Sequence, residues 1–315
     1  AFQKALKAMS AAGGGTVFAP QGQYRFAGSL VIAQSVTLRG EWKAPTNQDR
    51  SVAGTILMPT AGKGNADGRA FIQLVGSTGL RDLSIWYPEQ NASKPIPYPF
   101  TLEQLSGNNA TFQNLTLVNS YLGIKIGPDF NELHYVHRVY GSPLKAGIRY
   151  DSTTDIGRLE SVEFSPFFWA QSGLSEAPEA DVLREWLRGH ATGIHMLRSD
   201  WEYVDNVRVE GYQVGFKCTQ GERGAANAQF RRLEFIDCGT ALYVEETNPY
   251  GMVFTDCVLE GSEYAIYLSE IFDSVVLFSN CVLRSETLAV RSYGLGVLLV
   301  GQSKIESGQV SLDRG

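Results

Sequence analysis

The sequence is poor in the residues that build metal and redox centres. It has only four cysteines, Cys218, Cys238, Cys257 and Cys281, and none is paired in the CxxC spacing of a metal or redox site. It has only four histidines. His134 and His137 lie three apart, which on a strand turns them to opposite faces, and His190 and His195 add no metal motif. It also lacks an excess of positive charge. The formal net charge is −6, which argues against a nucleic-acid partner. No apolar run approaches the ~18–20 residues that cross a bilayer, so no membrane partner is expected. No secretory leader is legible. The chain opens without Met inside a helix-like pattern (Phe2, Leu6, Met9), as expected of a piece whose leader has been lost.

What is present is a core-forming composition, 43% hydrophobic and 19% charged, with 33 glycines that suit a fold made of many turns. One stretch, residues 228–283, repeats itself. Phe230, Leu233 and Phe235 fall on Phe254, Cys257 and Leu259, and these fall on Phe278, Cys281 and Leu283. Cys257 and Cys281 thus share one apolar position and read as small core residues. The same apolar-x-x-apolar-x-apolar pattern recurs at Leu80/Leu83/Ile85, Phe112/Leu115/Leu117, Val136/Val139, Leu159/Val162/Phe164 and Val204/Val207/Val209. A weaker copy lies near Val300 to Ile305. A period in the twenties with short alternating strands is a solenoid signature.

Each coil carries two further marks. The residue before the middle apolar position is Asp82, Asn114, Arg138, Ser161, Asn206, Arg232, Asp256 or Asn280. Asn and Asp tolerate a left-handed backbone, so a tight turn is predicted there, stacked into a ladder. A second strand follows, beginning Gly-Ile or similar: residues 123–126, 147–150, 193–196 and 215–218. Residues 1–12 read as an amphipathic helix that caps the open N-terminal end. Short strands follow at 16–19, 24–26, 30–32 and 36–38, then a long loop at 41–70 with a strand at 55–58. Two segments interrupt the period. Residues 86–104 are rich in Pro and aromatics (Trp86, Tyr87, Tyr98, Phe100). Residues 171–190 carry a helix with Val182, Leu183, Trp186 and Leu187 on one face. The chain ends without an obvious cap, which anticipates a continuation of the natural protein.

One coil per ~23–26 residues, the Asn-rich turn, the G-I-x-apolar strand and the N-terminal block GGGTVFAPQGQYRF–SLVI–VTLRGE resemble the pectate lyase superfamily. Within it, the likeness is to the pectate-lyase-3-type, polygalacturonase-like proteins, and it covers nearly the whole chain. The resemblance implies an all-β, single-stranded right-handed parallel β-helix of three sheets, here one domain over residues 1–315. It also implies a carbohydrate cleft on the sheet of the G-I-x-apolar strands and in the turns leaving it. The superfamily holds hydrolases, lyases, epimerases and phage tailspikes, so the resemblance does not choose among them.

The period of two predicts which residues face that cleft. Ile124, Ile148, Ile194, Leu242 and Ile266 point inward. Lys125, Arg149, His195, Tyr243 and Tyr267 point outward, joined by Lys217, or by Phe216 if that strand is shifted. A row of Lys, Arg, His and Tyr suits a sugar polymer, above all one bearing carboxylate or sulfate groups; ordinary outward residues of an exposed sheet are the alternative. Carboxylates follow the same strands: Asp129, Asp151, Asp155, Asp200, Glu202, Glu245, Glu246 and Glu270. Glycoside hydrolysis needs two, one protonated and one ionised, at ~5–9.5 Å. The best cluster is Asp151, Asp155, Asp200 and Glu202, with Asp200 and Asp151 as the leading pair. Trp201 and Tyr203 beside them are placed to stack on a sugar, with Trp169, Glu245 and the outward row as further substrate contacts.

The polygalacturonase motifs are missing: there is no N-x-D strand, no adjacent Asp-Asp and no R-x-K. That family's catalytic residues are therefore not carried over. Arg149 beside Asp151 imitates the Arg base and Ca2+-binding acid of pectate lyases, without a full Ca2+ set. The two insertions are expected over the groove, walling it into a pocket; the alternative is that their aromatics pack on one another. Asn91, Asn109 and Asn114 match the N-glycosylation pattern, Asn114 being already claimed by the ladder. The expected function is a glycoside hydrolase acting on a polysaccharide or oligosaccharide outside the cytoplasm: secreted, periplasmic or cell-surface. No cofactor is expected of it. A polysaccharide lyase, which would bring Ca2+, and a non-catalytic glycan-binding or tailspike-like protein are the alternatives.

Overall fold

The computed structural model describes residues 1–127 and 129–313. It is a right-handed parallel β-helix with few helices. Helix α1 (Phe2–Ala11) covers the N-terminal end, burying Leu6 against the first coil. Each coil then runs through three short strands that pair in parallel with the equivalents above and below.

The first sheet stacks Gly15–Phe18 on Val36–Arg39 and continues through the opening halves of Gly79–Ile85, Thr111–Leu117, Tyr135–Gly141, Arg158–Phe164, Glu202–Glu210 and Ala228–Val244. The closing halves of the same strands form the second sheet. Between the halves the backbone turns through the left-handed region. Asp82, Asn114, Arg138, Ser161, Asn206, Arg232, Asp256 and Asn280 all have φ between 53° and 59°. The predicted ladder is therefore present, and Gln302 at φ 49° extends it into the weak last coil. Its polar members bond one another: Asn114 Nδ2 donates to Asp82 Oδ1 at 2.6 Å, and Asn280 Nδ2 to Asp256 Oδ1 at 2.6 Å.

Such a turn costs an ordinary L-residue about 1 kcal/mol, and Asn and Gly least. Asn114→Ala is therefore expected to lower stability by about 1–2 kcal/mol, since it loses both the turn preference and the bond to Asp82. Asn114→Gly is expected to lose only the bond. The two denaturant midpoints, compared side by side, check this.

The third sheet stacks Leu30–Ile32, Ile72–Val75, Phe100–Ser106, Leu122–Ile126, Ala146–Tyr150, Thr192–Met196, Val214–Cys218 and the matching parts of the later coils. Its inward column is Ile72, Leu102, Ile124, Ile148, Ile194, Phe216, Leu242 and Ile266, all fully buried. Opposite it, Phe230, Phe254 and Phe278 stack with ring centroids 4.3 and 4.8 Å apart. The four cysteines are free and buried, as the shared apolar position predicted for Cys257 and Cys281.

Both insertions leave at the corner between the second and third sheets. The first packs on itself: Trp86, Tyr87 and Tyr98 are buried, and Tyr87 Oη meets Thr101 Oγ1 at 3.0 Å. The second contributes helices Phe167–Ala170 and Ala180–His190. They meet the loop at 41–54, which crosses the outer face of the second sheet. Trp42 bonds Thr116 Oγ1 and stacks on Tyr140, the Arg50 guanidinium lies over Phe167 and Phe168, and the Val52 amide bonds the Ser172 carbonyl. The expected wall over the groove is thus corrected for Phe167 and Phe168, which cover the second sheet, whereas Phe100 lies on the third, with the Lys125 ammonium 6.0 Å from its ring centroid. No helix among the described residues is long and apolar enough to cross a membrane.

Candidate functional site

The outward register of the third sheet is Gln73, Glu103, Lys125, Arg149, His195, Lys217, Tyr243, Tyr267 and Arg291. Lys217 takes the outward place and Phe216 the core place. The row is a chain of internal contacts. Lys125 pairs with Glu103 at 2.9 Å, and Gln73 bonds the other oxygen of that carboxylate at 2.8 Å. The Lys217 ammonium lies 5.2 Å from the Tyr243 ring centroid. Tyr243 and Tyr267 stack at 5.2 Å with planes 8° apart. The faces of these two rings are therefore turned to each other, and only their edges are offered to solvent. Burial, with help from Glu245, raises the Tyr243 pKa.

His195 sits between Arg149 and Lys217 and bonds Thr219 Oγ1 at 2.8 Å. Burial, then the two flanking cations, push its pKa down to about 4. A histidine depressed in the fold is neutral there while the unfolded chain takes up a proton from about pH 6.5 downward. Stability is therefore expected to fall as pH drops from about 6.5 to about 4, by up to roughly 3 kcal/mol, and to be unaffected by this group above 6.5. Unfolding midpoints across that range, compared with His195→Gln, measure the contribution.

A further set of loops lies where the third sheet hands over to the first. They enclose an open cleft of about 620 Å³ lined by Asp155, Arg198, Asp200, Trp201, Arg223, Asn227, Glu246, Asn248 and Tyr250. Two aromatic rings stand at its rim: Trp201 is 43% and Tyr250 74% exposed, with ring centroids 5.3 Å apart. Trp201 holds φ 56°, and its amide bonds Asn227 Oδ1, which also accepts from Asn248 Nδ2. Asp200 pairs through both oxygens with Arg198. Burial raises the pKa of Glu246 above the usual carboxylate range, against bonds from the Thr247 and Asp273 amides. Glu246 stood among eight sequence acids without distinction. The partial burial that sets it apart comes from the neighbouring coil.

The predicted acid cluster is split. Asp155 and Asp200 line the cleft. Asp151 does not; its Oδ1 accepts from the Arg198 amide and from Ser152 beneath the Gly221 loop. Glu202 lies inside the β-helix, fully buried, bonded to His134 Nε2 at 2.8 Å and to Ser199 Oγ at 2.9 Å. The reason is the left-handed Trp201, which turns the chain so that the next side chain points inward. Trp169 is also withdrawn from the substrate contacts: it is 1% exposed, beneath the covering of the second sheet, with its amide on Ser142 Oγ. Glu245 follows the end of the strand at Val244 and lies outside the cleft lining. Among the described residues no group of three or more His, Cys, Asp or Glu side chains is arranged to hold a metal ion.

No protein-family model matches the chain, and neither does any curated protein. Solved structures do. A double mutant of the tailspike protein of E. coli bacteriophage HK620 superposes on 98% of this chain at 11% identity and a TM-score of 0.57. Another double mutant of that tailspike, in complex with a pentasaccharide, superposes on 98% of it at 11% identity and a TM-score of 0.56. This chain spans 62% of the length of each. The likeness is one of fold, the right-handed β-helix that the pectate lyase resemblance implied.

Proposed function

We propose that this β-helix is a carbohydrate-acting protein, and that the cleft between the third and first sheets binds an oligosaccharide and hydrolyses one of its glycosidic bonds. The observation that carries the reading is the cleft's lining: three carboxylates in unlike surroundings beneath two exposed aromatic rings. A carboxyl whose pKa is raised suits the general acid that protonates the leaving oxygen, so Glu246 takes that role. The partner must be ionised and have a free lone pair. Asp155 fits, because among the described residues it has no ion pair, whereas both oxygens of Asp200 are engaged by Arg198. Asp200 and Arg198 then act as a fixed hydrogen-bonding edge for sugar hydroxyls, and Trp201 and Tyr250 stack on the ring faces.

The likeness to a tailspike solved with a pentasaccharide supports a glycan ligand. A protein working on such a polymer would act outside the cytoplasm. The test is a panel of neutral, uronic and sulfated glycans assayed for new reducing ends and for the near-ultraviolet absorbance of unsaturated uronides. Reducing ends alone support hydrolysis. Absorbance would overturn it in favour of elimination. Binding without either product would leave a lectin-like protein.

A further inference from the structure

A second groove, about 410 Å³, lies on the outer face of the first sheet, lined by Arg158, Tyr203, Gln229, Arg231, Val253 and Thr255. It is linked to the cleft coil by coil. In four successive coils one residue lines the cleft and another, two or three positions later, lines the groove: Asp155 and Arg158, Trp201 and Tyr203, Asn227 and Gln229, Tyr250 and Val253. The groove members are in register, Arg158 on Tyr203, Tyr203 on Gln229 and Gln229 on Val253. They form a straight file along the helix axis, one every ~4.8 Å, about 14 Å in all.

The chemistry of the file differs from that of the third sheet. Tyr203 is 37% and Val253 38% exposed, and among the described residues no other aromatic ring stacks on Tyr203. Beside it Arg231 and Arg232 share the one carboxylate of Asp205, which leaves a surplus of positive charge there. Arg158 has no carboxylate partner among the described residues. An open aromatic face, an amide and a surplus of guanidinium charge make a surface for a sugar chain, above all one bearing carboxylates.

We propose that the first-sheet groove is a second glycan-binding stretch continuous with the cleft, so that a long oligosaccharide turns the corner from Trp201 onto Tyr203. This rests on the glycan reading of the cleft and adds a dependence on ligand length. The probes are neutral and uronic oligosaccharide ladders, from disaccharide to octasaccharide, titrated calorimetrically against the whole chain and its Tyr203→Ala and Trp201→Ala variants. For the ladder that binds, affinity is expected to rise with length in the wild type. Tyr203→Ala is expected to leave the short members unchanged and to weaken the long ones by roughly 5- to 10-fold, the worth of one aromatic contact. Trp201→Ala is expected to weaken short and long alike.

If Tyr203→Ala weakens all lengths equally, or none, while Trp201→Ala still weakens binding, the groove proposal fails and the cleft reading stands. If no ladder binds, or Trp201→Ala has no effect, the cleft reading fails and the groove falls with it.

Discussion

Glu202→Ala is expected to lower the unfolding free energy by about 3–5 kcal/mol, the largest stability loss of any single side chain discussed above. Glu202 is fully sealed in the interior, where a removed partner is not replaced by solvent. The truncation strands His134, 1% exposed, whose Nε2 bond to Glu202 is its one side-chain hydrogen bond among the described residues. It also frees the Ser199 hydroxyl at the start of the turn that carries Asp200 and Trp201. Packing around the pair leaves no slack: a Cβ on Gly157 would stand 2.1 Å from His134 Cε1 and 2.4 Å from Glu202 Oε2. Glu202→Gln keeps the shape and both hydrogen-bonding positions and is expected to cost much less. Urea midpoints of the two variants separate a sealed structural acid from a surface one. Equal midpoints for Glu202→Ala and wild type would place the carboxylate in solvent.

Glu246→Gln is expected to reduce glycan turnover by about 10²–10⁴-fold while leaving the fold intact, because the amide cannot donate the proton that the leaving oxygen needs. Asp155→Asn is expected to cost a similar factor, and Asp200→Asn less. The pH profile carries the sign. A general acid must be protonated, so activity falls as pH rises through its pKa. Burial sets that pKa above the usual range for glutamate, so the alkaline limb is expected above it as well. Full turnover in Glu246→Gln would remove the acid as drawn. An Asp200→Asn variant weaker than Asp155→Asn would exchange the roles of those two.

The coils were legible in the sequence because their signals are local. Apolar spacing within residues 228–283 fixed the strands, and Asn or Asp before the middle apolar position marked the left-handed turns, which Arg138, Ser161 and Arg232 also occupy. Register followed too: Lys125, Arg149, His195, Tyr243 and Tyr267 share one outward file. The site was less legible because its determinants cross coils. Trp201 was read as a sugar-stacking ring beside an outward Glu202, yet its positive φ sends Glu202 inward, and no neighbouring residue announces that. Trp169 is buried in a segment whose neighbours Phe168 and Gln171 meet Arg50, more than 100 residues earlier in the chain. The distinction of Glu246 among eight acids arises from burial, which outweighs the bond from the amide of Asp273, one coil on.

The loop at 41–54 has a mechanical consequence. In a stack where each coil touches only its neighbours, unravelling begins at an end and proceeds one layer at a time. This loop binds the start of the column to Thr116, Tyr140, Glu163 and Ser172, several layers further along. It works as a splint: the layers it spans must open together or not at all. Among the described residues no comparable brace reaches the layers beyond Tyr250, where Val297, Leu299 and Val310 are half exposed. The cleft, lined from Thr154 to Tyr250, lies on the boundary between the splinted and the unsplinted length.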